Sequence, residues 1–149
     1  NLEFHSLIKC KAYVYIWKNH PLAKNKSISF EELADYPCLS FEQDDNDSVY
    51  FAEEILSTEE YHRTIKTNDR ASMLNLMVGL NAYTLCSGII SEELNGSEYI
   101  AVPFRESDAN INRIMEIGWI TKKDFILNEV GNIYVEELKK ALSNCVPEK

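Results

Sequence analysis

The 149-residue chain has little of what specialised chemistry usually needs. Its four cysteines, Cys10, Cys38, Cys86 and Cys145, lie far apart with no C-x-x-C pair. That excludes a disulfide scaffold and a zinc-ribbon spacing, and points to a reducing, cytoplasmic compartment. The three histidines, His5, His20 and His62, offer no ligand pair at short spacing, so no metal site is expected. Only five glycines are present, and no Walker loop, no Gly-x-Gly-x-x-Gly and no Gly-x-Ser-x-Gly elbow occurs. Positive charge is scarce too: 15 Lys+Arg against 24 Asp+Glu give a net charge of −9, which lacks the basic footprint of a nucleic-acid-binding surface. Apolar runs break off well short of the roughly 20 residues that a membrane span requires, and no secretory leader is visible.

What is present is enough apolar sequence, 45% of the chain, for one sizeable core. Lys11 to Trp17 reads as a strand with Tyr13, Tyr15 and Trp17 on one face and Ala12, Val14 and Ile16 on the other, so it needs cover on both sides. Ser29 and Glu32 form a capping-box pattern for a short helix reaching Tyr36, before Pro37. Cys38–Phe41 has the length of a buried strand; an acidic loop follows, and Asp47 caps a helix lined by Val49, Ala52, Ile55 and Leu56.

Thr64–Thr67 is a further strand, and Asn68 or Asp69 caps a largely buried helix over Met73–Leu80. Asn81 is the expected stop of that helix, because asparagine tolerates the left-handed backbone of a helix C-terminus. Strands at Ala82–Cys86 and Tyr99–Phe104 flank a short helix from Ile89 to Asn95. A long strand pattern runs from Asn112 to Thr121. Leu127, Val130, Tyr134, Leu138, Ala141 and Leu142 then mark the stripe of a C-terminal helix. Strands alternating with helices predict an α/β fold with a mixed sheet covered on both faces. Chain direction suggests that 11–17 and 112–121 pair antiparallel with each other.

No residue set supports catalysis. The adjacent glutamates, such as Glu53-Glu54 and Glu136-Glu137, fall on helices where neighbours diverge by ~100° and share no site. The Asp44–Asp47 tract lacks the glycine and distal glutamate of a calcium loop. What remains is position: in an α/β sheet, ligands collect beyond the carboxyl ends of the strands. Ser40, Phe41 and Gln43, then Asn68, Asp69 and Ser72, then Ser87 with Gly88, all fall at such ends. Each polar residue among them also has an ordinary structural reading, as a helix cap or turn former.

Taken in order, Tyr13-Val-Tyr-Ile-Trp, His20-Pro-Leu-Ala23, Ile28-Ser-Phe-Glu-Glu-Leu-Ala-Asp-Tyr-Pro-Cys-Leu-Ser-Phe41 and Thr67-Asn-Asp-Arg-Ala-Ser-Met-Leu-Asn-Leu-Met-Val-Gly79 resemble the effector-binding domain of LysR-type transcriptional regulators. The resemblance covers roughly residues 8 to 142. Gly79-Leu-Asn81 and Ser87-Gly88 stand where that family usually has a Gly-x-Gly turn and a Pro.

The resemblance implies a two-lobed fold of the type II periplasmic-binding-protein kind. Residues 18–111 would form the second lobe, while 1–17 and 112–149 would belong to a first lobe otherwise lying upstream. It implies no enzyme and no cofactor. Instead, a small effector, with a carboxylate as the favoured chemistry at the Asn68–Ser72 helix start, would bind between the lobes at Ser40, Phe41, Gln43, Asn68, Asp69, Ser72 and Ser87. DNA would be reached only through a winged helix-turn-helix outside this chain, and the working form would be a homo-oligomer. The apolar residues of 11–17 and 112–121, deprived of the first lobe, would drive self-association of this chain through edge pairing or segment exchange. The alternatives are a fragment of a solute-binding protein serving a transporter and, third, a small α/β enzyme.

Overall fold

A computed structural model describes residues 1–42, 63–105 and 114–145. The helix expected after Asp47, the loop from Glu106 to Asn110 and the candidate site residue Gln43 lie outside these residues.

The elements in chain order are β1 (Leu2–Cys10), β2 (Tyr13–Trp17), α1 (Phe30–Leu33), β3 (Cys38–Phe41), β4 (Thr64–Thr67), α2 (Arg70–Gly79), β5 (Thr84–Cys86), α3 (Glu92–Asn95), β6 (Tyr99–Pro103), β7 (Met115–Lys122) and α4 (Glu129–Cys145). β2 lies between β5 and β6 and runs antiparallel to both, whereas β3 and β4 pair in parallel. A parallel bridge from Cys38 to Tyr83 joins these two ladders, with the Leu39 N–H donating to the Tyr83 carbonyl at 2.7 Å. The strand order is therefore β4-β3-β5-β2-β6, with β2 alone running against the others.

This sheet explains the two-sided apolar pattern of β2. Val14 and Ile16 pack with Ile28, Leu33, Cys38, Tyr83, Leu85 and Val102 on the α1 side. Tyr15, on the opposite side, clusters with Leu39, Met73, Met77 and Ala82 beneath α2. Alternation along one strand thus feeds two cores.

Three sequence-level expectations are corrected by this arrangement. β2 does not pair with the 112–121 strand; it lies inside the sheet, and β7 pairs antiparallel with β1 instead. Cover for Tyr15 comes from α2 of the same sheet rather than from an upstream lobe, so Tyr13–Trp17 is not a segment free to exchange between copies. β1 went unread because Ser6 interrupts its alternation of Leu2, Phe4, Ile8 and Cys10, and because a register shift between Ser6 and Ile8 resets which face each residue takes.

Local signals were more reliable. The Glu32 carboxylate accepts from the Ser29 N–H at 2.9 Å, although α1 ends at Leu33 rather than Tyr36. Asp69 caps α2, accepting from the Ser72 N–H at 2.8 Å. Asn81 stands at φ 49°, the left-handed stop expected of it. Its side-chain oxygen accepts from the Trp17 indole at 2.8 Å. Its carbonyl accepts from His20 Nε2 at 2.9 Å. His20 Nδ1 takes the Leu22 N–H at 3.0 Å, which fixes the imidazole as the neutral Nε2–H tautomer. Burial pushes its pKa below the ordinary value, as a fully occupied structural histidine requires.

The stripe of α4 is displaced from the one expected. Leu127, Leu138 and Leu142 are half-buried together with Gly131 and Val135, while Val130 and Tyr134 face outward at 73% and 67% exposure. The spacing 127, 131, 135, 138, 142 follows the 3.6-residue repeat more closely than the expected set did. No described helix is long and apolar enough to cross a membrane.

Candidate functional site

β3, β4, β5 and β6 point their carboxyl ends to one rim, and β2 begins there. The register places Phe41 opposite Thr67, and Tyr13 opposite both Cys86 and Pro103. Ser40 and Phe41, Asn68 to Ser72, and Ser87 with Gly88 therefore come together at this rim, from segments separated by some 20 residues in sequence.

Within the rim the residues differ in how committed they are. Asp69 is tied to its own helix: the Ser72 hydroxyl and N–H both donate to its carboxylate, which holds its pKa below the usual range. Asp69 and Ser72 thus act chiefly as the cap of α2, the ordinary reading of both. Ser87 Oγ accepts from the Ile89 N–H at 3.3 Å, shaping the turn after β5. Ser40 is half-buried, and its carbonyl accepts a long contact of 3.5 Å from the buried Thr67 hydroxyl. Asn68 is exposed, and Phe41, at 39% exposure, presents an apolar ring.

Gly88 shows why the loop after β5 carries glycine. Its φ is +76°, and a Cβ there would lie 2.6 Å from the Tyr13 ring. The glycine lets Tyr13 pack flat under the loop at the rim. Beside it, burial pushes the Cys86 thiol up to about 11, so it holds its proton and is no nucleophile at neutral pH.

Two further residues bear on the rim: Arg70, which the sequence offers only as a partial offset to the Asp69 charge, and Tyr15, which it does not single out. Arg70, the first residue of α2, donates to the Asn95 side-chain oxygen and ties α2 to α3 across the rim. Tyr15 lies deeper, 4% exposed, with its ring 5.8 Å from that of Tyr99. Nothing in a strand of alternating aromatics marks its hydroxyl off from the others. The signal that was available is the adjacency of Arg70 to the two cap candidates.

Among the described residues no group of histidine, cysteine or carboxylate side chains is placed to hold a metal ion. The rim offers hydroxyls, an amide, one guanidinium and apolar walls. Such a set binds and orients a small polar molecule.

No family model and no curated sequence matches the chain. Solved structures do. The effector-binding domain of QuiR in complex with shikimate is similar over 97% of this chain and 65% of its own, with a TM-score of 0.59 at 19% identity. HinK, a LysR family transcriptional regulator from Pseudomonas aeruginosa, is similar over 95% of this chain and 48% of its own, with a TM-score of 0.64 at 12% identity. The regulatory domain of MetR, a LysR family regulator from N. meningitidis, is similar over 98% and 66% respectively, with a TM-score of 0.63 at 9% identity. The chain spans about two thirds of such regulatory domains and about half of the longer HinK chain. Its fold is that of the effector-binding domains of LysR-family regulators, the type II periplasmic-binding-protein-like architecture.

Proposed function

We propose that this chain is the ligand-sensing part of a bacterial LysR-type transcriptional regulator. It binds a small effector and passes that event to DNA binding or transcription by a larger oligomer, performing no chemistry of its own. The observation that carries the reading is the shared rim: loops from three parallel strands converge where an α/β sheet takes its ligands. The fold likeness to QuiR, whose structure holds shikimate, supports it.

In this reading β2, expected with residues 1–17 in the first lobe, goes instead with the strands it pairs with, so that β2 to β6 and α1 to α3 form the second lobe of the cleft. β1, β7 and α4 belong to the first lobe, whose remaining elements are supplied from outside the chain. The effector contacts from this side are Ser40, Phe41, Gln43, Asn68 and Ser87, with Asp69 and Ser72 shaping the helix start. DNA is met through a separate winged helix-turn-helix, the assembly is a homo-oligomer and the compartment is the cytoplasm.

The test is a titration of the isotope-labelled chain with a library of small metabolites, followed by amide chemical shifts. A true effector perturbs Phe41, Asn68 to Ser72 and Ser87 together. Saturable binding that perturbs only β1, β7 or α4 overturns the reading. An open reading frame that encodes a secretory leader instead of a winged helix-turn-helix assigns the chain to a solute-binding protein.

A further inference from the structure

One polar atom stands out from an otherwise satisfied interior. The Tyr15 hydroxyl oxygen is buried and has no hydrogen-bond partner among the described residues. A phenol in such a place loses its contact with water and gains none in return, which is why buried tyrosines nearly always find a partner. Tyr99, whose ring lies 5.8 Å away, follows that rule: its hydroxyl donates to the Leu74 carbonyl at 3.4 Å.

The position of Tyr15 gives the exception a meaning. The register sets it opposite Thr84 and Ala101, two residue pairs in from the point where Tyr13 meets Cys86 and Gly88 covers the Tyr13 ring. It shares a cluster with Met73, in the first turn of α2, with Cys86, the last residue of β5, and with Ile90, on the loop that follows. Arg70 is near enough for its charge to favour the ionised phenol, against the larger effect of burial. The hydroxyl therefore lies behind the rim, between the N-terminal end of α2 and the 87–91 loop. The Asp69 carboxylate is turned to its own helix by Ser72, so it does not serve as the acceptor for Tyr15. The phenol donor there has no acceptor among the described residues, and the nearest cation that acts on it, Arg70, is bonded to Asn95.

We propose that the Tyr15 hydroxyl is the inner hydrogen-bond donor for a small carboxylate that enters between the start of α2 and the 87–91 loop, with Arg70 as its second donor. The inference rests on the effector-binding reading above and deepens it by naming the ligand's anchoring group. Arg70, exposed and bound to Asn95, exchanges that neutral acceptor for a charged one, a stronger partner. The site is entered by displacement of the Arg70 side chain, because the phenol oxygen is covered when the site is empty.

Acetate is the probe, since it is small enough to report a carboxylate subsite whatever the rest of the effector is. The 149-residue chain is labelled at the tyrosine ring carbon that bears the hydroxyl, and titrated with acetate and, at matched ionic strength, acetamide. The Tyr15 resonance and the Arg70 to Ser72 amides should shift together and saturably with acetate and not with acetamide. Tyr15→Phe should weaken the acetate response of those amides about tenfold. If the amides respond while Tyr15 does not, the rim binds but Tyr15 takes no part, and this inference fails while the effector reading stands. If acetate moves neither, the carboxylate anchor is wrong, and the metabolite titration decides the reading separately. A control on the premise uses the free chain: Tyr99→Phe should lower the melting temperature, whereas Tyr15→Phe should leave it unchanged or raise it. A lowered value for Tyr15→Phe would show the hydroxyl already bonded and would overturn the proposal.

Discussion

Ile16 and Ile120 are both isoleucines in strands, yet the first is fully buried and the second is 60% exposed. The same contrast runs through the two regions they belong to. Every buried residue of the described chain lies between Ala12 and Val102, in the five-stranded sheet and the segments packed on its two faces. Among the described residues the β1–β7 ribbon and α4 contain none, and Leu2, Phe4, Ile120, Val130, Ile133 and Tyr134 are all exposed there. The ribbon is held instead by its ladder, by the stacking of His5 on Trp119 at 4.2 Å and by His5 Nε2 meeting Thr121 Oγ1 at 2.8 Å. Composition does not separate the two regions; the number of covered faces does. A two-stranded ribbon has no second layer of its own and is marginal alone, while a sheet with helices on both faces encloses its apolar residues.

The largest effect that tests this contrast comes from emptying the core beneath α2. Leu39 is fully buried among Tyr15, Met73, Met77 and Ala82. Leu39→Ala should destabilise the chain by about 2–5 kcal/mol through lost burial and a residual cavity, measured by urea denaturation. A loss well below 1 kcal/mol would mean that this region is no more firmly built than the ribbon.

A smaller loss is expected at Asn81, where one residue ties the end of α2 to β2. Asn81→Ala removes the acceptor of the Trp17 indole and places a Cβ-bearing residue without a local hydrogen bond at φ 49°. The two effects together should cost about 1–3 kcal/mol. Asn81→Gly keeps the backbone unstrained and should recover part of the loss. Equal losses in both variants would show that backbone conformation has no share in it.

How much of the molecule was legible follows the same line. Signals that act over a few residues, such as the Ser29–Glu32 pair, the Asp69 cap and the left-handed Asn81, appear in the structure as the sequence implies. So does the sharing of one rim by Ser40, Asn68 and Ser87, because it depends only on strand direction. Pairing partners were not legible. Nothing in the apolar faces of 11–17 says whether the cover comes from 70–79 or from another chain, and a bulge conceals the alternation that would have revealed β1. At the rim, the sequence offers Arg70 only as an offset to the Asp69 charge and does not single out Tyr15, because the tie of Arg70 to Asn95 and the unpartnered Tyr15 hydroxyl depend on neighbours across the sheet, of which sequence spacing carries no record.

The buried histidine sharpens the comparison through pH. His20 is held neutral, its Nδ1 occupied by the Leu22 N–H, and burial lowers its pKa from the ordinary 6.5. Below that value the unfolded chain takes up a proton that the folded chain refuses, so this contribution to stability is complete above about pH 6.5 and falls as pH drops toward the lower folded pKa. His20→Gln should flatten that part of the stability profile, measured by urea denaturation between pH 7 and pH 5. Parallel acid profiles for the wild type and His20→Gln would show that His20 is protonated in the folded protein.

The smallest effect is the most telling for the ribbon. Ile120 and Val130 are exposed at 60% and 73%, so Ile120→Thr and Val130→Ser remove little burial from this chain and should each change its stability by less than about 0.5 kcal/mol. In the longer polypeptide proposed above, the first lobe covers this face, and the same substitutions should then cost about 1 kcal/mol or more each, because the apolar groups are buried only there. The two measurements together separate the occupants. If sedimentation shows the 149-residue chain self-associating and both substitutions reduce it, a second copy covers the face in place of the missing lobe, as β7 edge pairing would allow. If the chain is monomeric and the substitutions are neutral both in it and in the longer polypeptide, Ile120 and Val130 have no partner in either, and the assignment of β1, β7 and α4 to a first lobe is wrong.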